Sequence, residues 1–194
     1  MIYTKDLVHA FAPHRRNALV VSGRSGQYWL DISEGGADLP VGDPSMGGHA
    51  GFSFGLALAQ PEKPVVVFDS EGDLLMNLSI LTTIAEKAPR NYYYFLMDNE
   101  CYATTGGQPV PNAKNVAYDL VARGCGINRT YFFDDLATYT AALPEILAKD
   151  GPVFVWNKIH PEIENRPPGQ RAPWRKRSPA KVVADTRKFL GVTR

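Results

Sequence analysis

The strongest constraint on the fold lies between Pro64 and Pro111, PVVVFDSEGDLLMNLSILTTIAEKAPRNYYYFLMDNECYATTGGQPVP. Two short apolar runs, residues 65–68 and 92–97, have the length and the β-branched or aromatic content of buried strands. Between them Leu74, Leu75, Leu78, Leu81, Ile84 and Ala85 recur at helical spacing. The segment therefore reads as a strand, a helix and a second strand. Such a unit makes the strands parallel and the crossover right-handed, so both strand C-termini open on one edge of the sheet. Ligands bind at that edge. One loop there offers Asp69, Glu71 and Asp73, the other Asp98 and Asn99. These are hard oxygen donors suited to Mg²⁺ or Ca²⁺. Acids are also what a helix start favours, so the residues alone leave both readings open.

The remaining chain extends the same alternation. Leu7, Val8 and Phe11 mark an opening helix that ends near Pro13. Residues 18–21 form a first strand that runs into Ser22-Gly23-Arg24-Ser25-Gly26, either an ordinary turn or a loop offering N–H groups to a phosphate. Residues 33–44 read as acidic, glycine-rich loop. Ser45-Met46-Gly47-Gly48-His49-Ala50 then opens a helix built of small residues. By themselves Met46 reads as core filler and His49 as a partly buried, satisfied histidine.

Further on, residues 116–123 form a helix capped at Gly124-Cys125-Gly126. Residues 130–133 form a strand, and Asp134 caps a helix to about Lys149 that Pro144 interrupts or restarts. Residues 153–157 are the last core strand. The expected fold is a doubly wound α/β sheet of about six mostly parallel strands with helices on both faces. Residues 1–160 make that domain. Residues 161–194 form a proline-rich basic arm and a closing helix capped by Ser178 with Pro179 at its first position.

Composition narrows the function classes. A chain of 194 residues, 44% hydrophobic, suits one domain with a substantial core. The net charge of +1 argues against a nucleic-acid surface. No apolar run approaches a membrane span and no leader pattern opens the chain, so a cytoplasmic protein is expected. Two cysteines, Cys101 and Cys125, fit neither a disulfide framework nor a zinc spacing.

The central segment resembles the diphosphate-binding domain of thiamine-diphosphate enzymes. Their signature is Gly-Asp-Gly, about two dozen residues, then Asn. Here Ser70-Glu71-Gly72 stands at the first position, and Asn99 follows the 26 residues from 73 to 98. Leu74-Leu75-Met76-Asn77-Leu78, Asp98-Asn99 and Tyr102-Ala103-Thr104-Thr105-Gly106-Gly107-Gln108-Pro109 are most similar to sulfopyruvate decarboxylase β subunits and phosphonopyruvate decarboxylases.

This resemblance implies thiamine diphosphate and Mg²⁺ as cofactors, with the metal held by Glu71, the side chain of Asn99 and the carbonyl of Cys101. It implies cofactor contacts from Ser22, Gly23, Arg24, Ser45, Gly72, Asp73 and Tyr102, and makes Met46 the bulky residue that props the cofactor in its bent form. His49, Arg24 and Gln108 become candidates for proton transfer or substrate contact. Glu71 is one methylene longer than the family's aspartate, and Asp73 replaces a usual serine beside the diphosphate.

The resemblance also implies a partner. A pyrimidine-binding α subunit would supply the catalytic glutamate, giving an α2β2 or larger assembly, with the arm and closing helix as clamps. The substrate would be a small anionic 2-oxo acid that loses CO₂ to give an aldehyde. Alternatives are the β subunit of a split 2-oxo acid oxidoreductase, whose iron–sulfur relay the two scattered cysteines do not suit, and a cofactor-free structural paralogue.

Overall fold

The computed structural model describes residues 1–41, 46–171 and 173–192. In chain order the elements are α1 (Thr4–Phe11), β1 (Leu19–Ser22), α2 (Trp29–Ile32), β2 (Asp38–Pro40), α3 (His49–Ala59), β3 (Val65–Ser70), α4 (Glu71–Met76), α5 (Ile80–Lys87) and β4 (Tyr92–Asp98). Then come β5 (Cys101–Tyr102), β6 (Gln108–Pro109), α6 (Tyr118–Gly124), β7 (Arg129–Phe133), α7 (Leu136–Ala148), β8 (Val153–Lys158) and α8 (Pro179–Phe189). Six strands form one sheet in the order β2-β1-β3-β4-β8-β7, every neighbouring pair parallel. The expected doubly wound sheet is present. No helix among the described residues is long and apolar enough to cross a membrane.

Strand alternation divides the core into two. Val65, Val67, Tyr92, Tyr94 and Leu96 face one way, with Ala50, Phe54, Leu74, Leu81 and Ile84 from α3, α4 and α5. Val66, Phe68, Tyr93, Phe95 and Met97 face the other, with Leu7, Val8 and Phe11 of α1 and Tyr139 and Leu143 of α7. Phe11 packs its ring 5.2 Å from Phe68 and 5.7 Å from Phe95, both edge-on. These buried runs are continuous because a doubly covered parallel strand has no wet face.

Five local expectations are corrected. Residues 33–44 are not all loop, since Asp38–Pro40 forms edge strand β2; three residues carry no readable period. The crossover helix is two helices, because Asn77 leaves helical geometry at φ −146° and spends its amide on the Gly47 carbonyl, 3.0 Å away. Asp135 rather than Asp134 caps α7, accepting from Thr138 N at 2.9 Å, and Pro144 sits inside an unbroken helix whose Tyr139, Leu143 and Ile146 are buried. The missing proline N–H is outweighed there by packing. Residues 101–109 hold a small antiparallel pair, β5 with β6, where a plain loop was expected.

The closing helix also has a job within the chain. Arg177 donates to the Asp38 carbonyl (2.7 Å) and pairs with Asp185 (3.1 Å), which lays α8 along β2 and covers that sheet edge. Gly36 is required there, because a Cβ would meet the Asp185 carbonyl oxygen at 2.6 Å.

The order of strands fixes where ligands go. The chain leaves β1 toward β2 on one side and returns to β3 on the other, so the switch point is between the C-terminal ends of β1 and β3. Truncating the ring that the α1 side is built on should weaken the whole sheet: Phe11→Ala should cost about 3–5 kcal/mol in urea unfolding. A loss below about 1 kcal/mol would show that α1 is dispensable to the core.

Candidate functional site

An open cleft of ≈ 850 Å³, counting space open to solvent, lies at the switch point. Arg24, Met46, His49, Gly72, Asp73, Asn99, Cys101 and Tyr102 all line it, as the sequence anticipated. Gln108 does not; it is exposed in β6, accepting from Thr105 Oγ1 at 3.1 Å. Ser22 and Gly23 lie at the end of β1 and are not among the cleft's lining residues, with Ser22 Oγ buried and without a partner among the described residues. Gly23 packs closely on His49, and a Cβ there would meet that ring at 3.1 Å, tighter than ordinary contact. Ser45 lies outside the described residues.

The five oxygen donors do not form one cluster. Asp98 turns to β8, accepting from Trp156 Nε1 at 2.8 Å and pairing with Lys158 at 2.9 Å. Asp69 is fully buried and accepts from Tyr94 OH at 2.5 Å and Ser70 N at 2.8 Å. Its other neighbour is His49, whose Nδ1 lies 3.1 Å from Asp69 Oδ1 and 2.8 Å from Asp73 Oδ2. The remaining ring nitrogen, Nε2, faces the Val41 carbonyl at 3.2 Å. Burial by itself would lower the His49 pKa. The hydrogen bonds and charges of the two aspartates overturn that and hold it up at about 10. His49 is thus an imidazolium with both N–H groups committed, the counter-ion of two carboxylates.

That changes the meaning of Asp73. Burial works to raise its pKa, but the His49 bond and charge and the Gly47 N–H hold the carboxyl below its usual range. Asp73 Oδ1 accepts from Gly47 N at 2.6 Å. Gly47, at φ +75°, is clamped on its other side by Asn77, so the turn carrying Met46 is fixed from both ends. Met46 itself is 62% exposed at the cleft and is no core filler.

Glu71 is the exception to this pairing. One oxygen, Oε2, accepts from Asn99 N at 3.3 Å; the other, Oε1, is buried without a partner among the described residues. Burial, with the charge of Asp98 behind it, pushes the Glu71 carboxyl up to about 8. Asn99 Oδ1 accepts from Cys101 N at 3.0 Å, which folds the 99–101 turn beside Glu71. A buried carboxylate oxygen left bare, an amide oxygen and a tight turn of backbone are the donor chemistry of a hard divalent cation. Gly72 follows because Tyr102 lies flat against it, and a Cβ there would meet that ring at 2.9 Å.

Sequence reading missed the outer wall. Thr4, Tyr28, His160 and Glu162 also line the cleft. His160 stacks on Tyr3 with ring centroids 4.3 Å apart, and Glu162 accepts from Tyr28 OH at 2.6 Å. These residues come from both ends of the domain, and nothing in their spacing announces that the arm folds back here.

Comparison with known proteins agrees with this geometry. Residues 27–156 match the family model "Thiamine pyrophosphate enzyme, C-terminal TPP binding domain". The chain is 43% identical over 117 residues to sulfopyruvate decarboxylase subunit beta of Methanothermobacter thermautotrophicus, covering 60% of each. It is 39% identical over 119 residues to phosphonopyruvate decarboxylase of Streptomyces hygroscopicus, covering 60% of this chain and 29% of that protein. The match thus spans less than two thirds of either relative. In fold it is similar to benzoylformate decarboxylase from Polynucleobacter necessarius, with TM-score 0.66 and 14% identity over 82% of this chain and 33% of that one.

The His49 ion pair has a pH signature. An imidazole raised from 6.5 to about 10 on folding adds stability that is complete below about pH 6.5 and fades as pH climbs to 10. The stability gap between wild type and His49→Asn, from unfolding titrations, should shrink steadily across that window. A gap constant from pH 6.5 to 10 would rule out the charged form.

Proposed function

Because the chain belongs to the thiamine pyrophosphate enzymes, through that family's C-terminal TPP binding domain, we propose that it is the diphosphate-binding β subunit of a cytoplasmic heteromeric decarboxylase of an anionic 2-oxo acid, sulfopyruvate- or phosphonopyruvate-like. The observation that carries this reading is the bare, buried Glu71 Oε1 beside the Asn99–Cys101 turn, behind the Ser70, Gly72 and Asp73 wall of a cleft at the switch point. Glu71, the Asn99 side chain and the Cys101 carbonyl hold Mg²⁺. A cation there relieves the burial that pushes the Glu71 carboxyl upward. Glu71 reaches from the first turn of α4, and its extra methylene is taken up within a wall that is closed to solvent.

When bound, thiamine diphosphate supplies the electron sink for loss of CO₂ from a 2-oxo acid. The chain's own residues do the positioning. Ser22, Gly23 and the Gly72-Asp73 turn receive the diphosphate. Tyr102, packed on Gly72, walls it in, and Met46 stands as the prop on a clamped turn. The Asp73 carboxylate repels a diphosphate less than a free charge would, because it shares the His49 charge with Asp69. His49 keeps its protons and orients Asp69 and Asp73; it is a positioning residue.

The catalytic glutamate comes from a pyrimidine-binding α subunit, in an α2β2 or larger assembly. Relatives carrying the name "subunit beta" support a partner. So does α3, which has no charged side chain except His49 and leaves Phe52 and Leu58 nearly half exposed beside the open positions at Gly51 and Gly55. An apolar surface of that kind, with Met46 and Met76 exposed at the cleft mouth, suits a buried interface.

Calorimetric titration of thiamine diphosphate into the chain co-expressed with its partner should show Mg²⁺-dependent binding, and Glu71→Gln should weaken it by about tenfold or more, as loss of a charged ligand does. No Mg²⁺-dependent binding in the wild type would sink the reading. Release of CO₂ from sulfopyruvate or phosphonopyruvate without an electron acceptor is the expected activity. Separately, Phe52→Asp should break co-purification of the two subunits while leaving this chain's far-ultraviolet spectrum intact; retention of the complex would move the interface elsewhere.

A further inference from the structure

The arm that follows β8 brings an anion of its own to the cleft. Its path is fixed by the bond from Tyr28 OH to Glu162, by Glu164 N donating to the Ala103 carbonyl at 2.9 Å, and by Ile163. Ile163 occupies the space beside Gly107 so closely that a Cβ there would meet it at 2.6 Å. These contacts place the Glu164 carboxylate beside the cleft, in the wall of a neighbouring cavity, only 15% exposed. Arg166 grips it with two parallel bonds, Nε to Oε1 at 2.9 Å and Nη2 to Oε2 at 2.7 Å. Arg24 Nη2 approaches the same Oε2 at 3.8 Å. Two guanidinium groups thus converge on one oxygen.

The position is as informative as the pairing. Arg24, Gln27 and Glu162 are shared walls of the cleft and of a second, more open cavity bounded by residues 162–167 and by Pro173 and Trp174. Among the side chains lining the cleft, His49 is already committed to Asp69 and Asp73, and Arg24 is the permanently charged cation. Its nearest acidic partner among the described residues is Glu164, beyond hydrogen-bond distance. Among the described residues Arg24 therefore has unspent donors where the cleft meets the second cavity.

We propose that Arg24 and Arg166 form the receptor for the second anionic group of the substrate, a tetrahedral sulfonate or phosphonate on a short 2-oxo acid, and that Glu164 fills this receptor until the substrate displaces it. The inference rests on the decarboxylase reading above and adds its specificity determinant. A planar guanidinium fork suits a tetrahedral oxyanion as well as a carboxylate. A phosphonate carries more charge than Glu164, and two guanidinium groups magnify that difference. A neutral substituent, such as the methyl of pyruvate, has nothing to displace the glutamate with. Arg24 then serves the substrate rather than the cofactor.

Two measurements test this, one independent of turnover. Inorganic phosphate is titrated into the chain with and without saturating thiamine diphosphate and Mg²⁺. Glu164→Gln should bind phosphate more tightly than wild type by about fivefold or more, and Arg24→Met more weakly by about tenfold, the scale of one charge-assisted bond. In the holoenzyme with its partner, Glu164→Gln should lower KM for phosphonopyruvate and raise its preference over pyruvate. Arg24→Met should reverse that preference with the Kd for thiamine diphosphate unmoved, and Arg24→Lys should restore part of it.

Glu164→Gln indistinguishable from wild type in both phosphate affinity and KM overturns the proposal. So does an Arg24→Met variant that shifts the cofactor Kd and not KM. If no 2-oxo acid is turned over at all, the decarboxylase reading fails. The phosphate titration then still decides whether Glu164 occupies an anion receptor.

Discussion

Three carboxylates within five residues, Asp69, Glu71 and Asp73, are buried at the end of one strand, and the architecture of the site follows from how each is neutralised. A buried carboxylate without a partner is costly enough that it protonates instead. Asp69 and Asp73 share one histidine, and the rest of their oxygens accept from Tyr94, Ser70 N and Gly47 N. Those bonds reach out to β4, to α3 and to the turn before α3, so satisfying these two acids also fixes three elements around the switch point. Glu71 has no such partner for its second oxygen, and the structure points that deficit at the Asn99 turn.

The departures from Gly-Asp-Gly become intelligible as a coupled set. Ser70, where the family has glycine, caps α4 by accepting from Asp73 N at 3.2 Å. Asp73 stands where a serine is usual, and the charge it adds is matched by His49 only 2.8 Å away. Gly72 alone is kept, and the reason is local: the Tyr102 ring occupies the space a side chain would need. A decayed site would show changes with no such compensation. Here Ser70 and Asp73 each have a bonded partner, while Glu71 keeps one buried oxygen without one among the described residues.

Much of the fold was legible because periodicity reports burial. The runs 65–68 and 92–97 could only be strands covered on both faces, and the two cores on either side of β3 and β4 follow from their alternation. That Glu71 and Asn99 would lie near one another was legible from spacing, since they directly follow the ends of adjacent parallel strands. Its internal pairing was not. Sequence places Asp69, Glu71, Asp73 and Asp98 at one edge, but which carboxylate meets which cation depends on Trp156 and Lys158 from β8 and His49 from α3. Edge strand β2, the break at Asn77 and the β5–β6 pair escaped for a simpler reason. Each is too short for a period, and each is stabilised by contacts from distant residues, Asn77 by Gly47 and β2 by Arg177.

The arm shows why composition misleads where proline and arginine dominate. Its prolines exclude a helix or a central strand, which favours a solvated or partner-clamping reading. In the fold, the same stiffness lets a few anchors set a path: Glu162 on Tyr28, Ile163 on Gly107, and the Glu164 amide on Ala103. Each anchor lands on a segment that also lines or borders the cleft. A change in what Glu164 holds is therefore mechanically linked to Glu162 and to the 103–107 loop, which follows directly from the Asn99–Cys101 turn. The Ile163 anchor on Gly107 and the Asn99–Cys101 turn are thus joined by nine residues of backbone, from 99 to 107, with Gly106 and Gly107, both at positive φ, as the compliant joint.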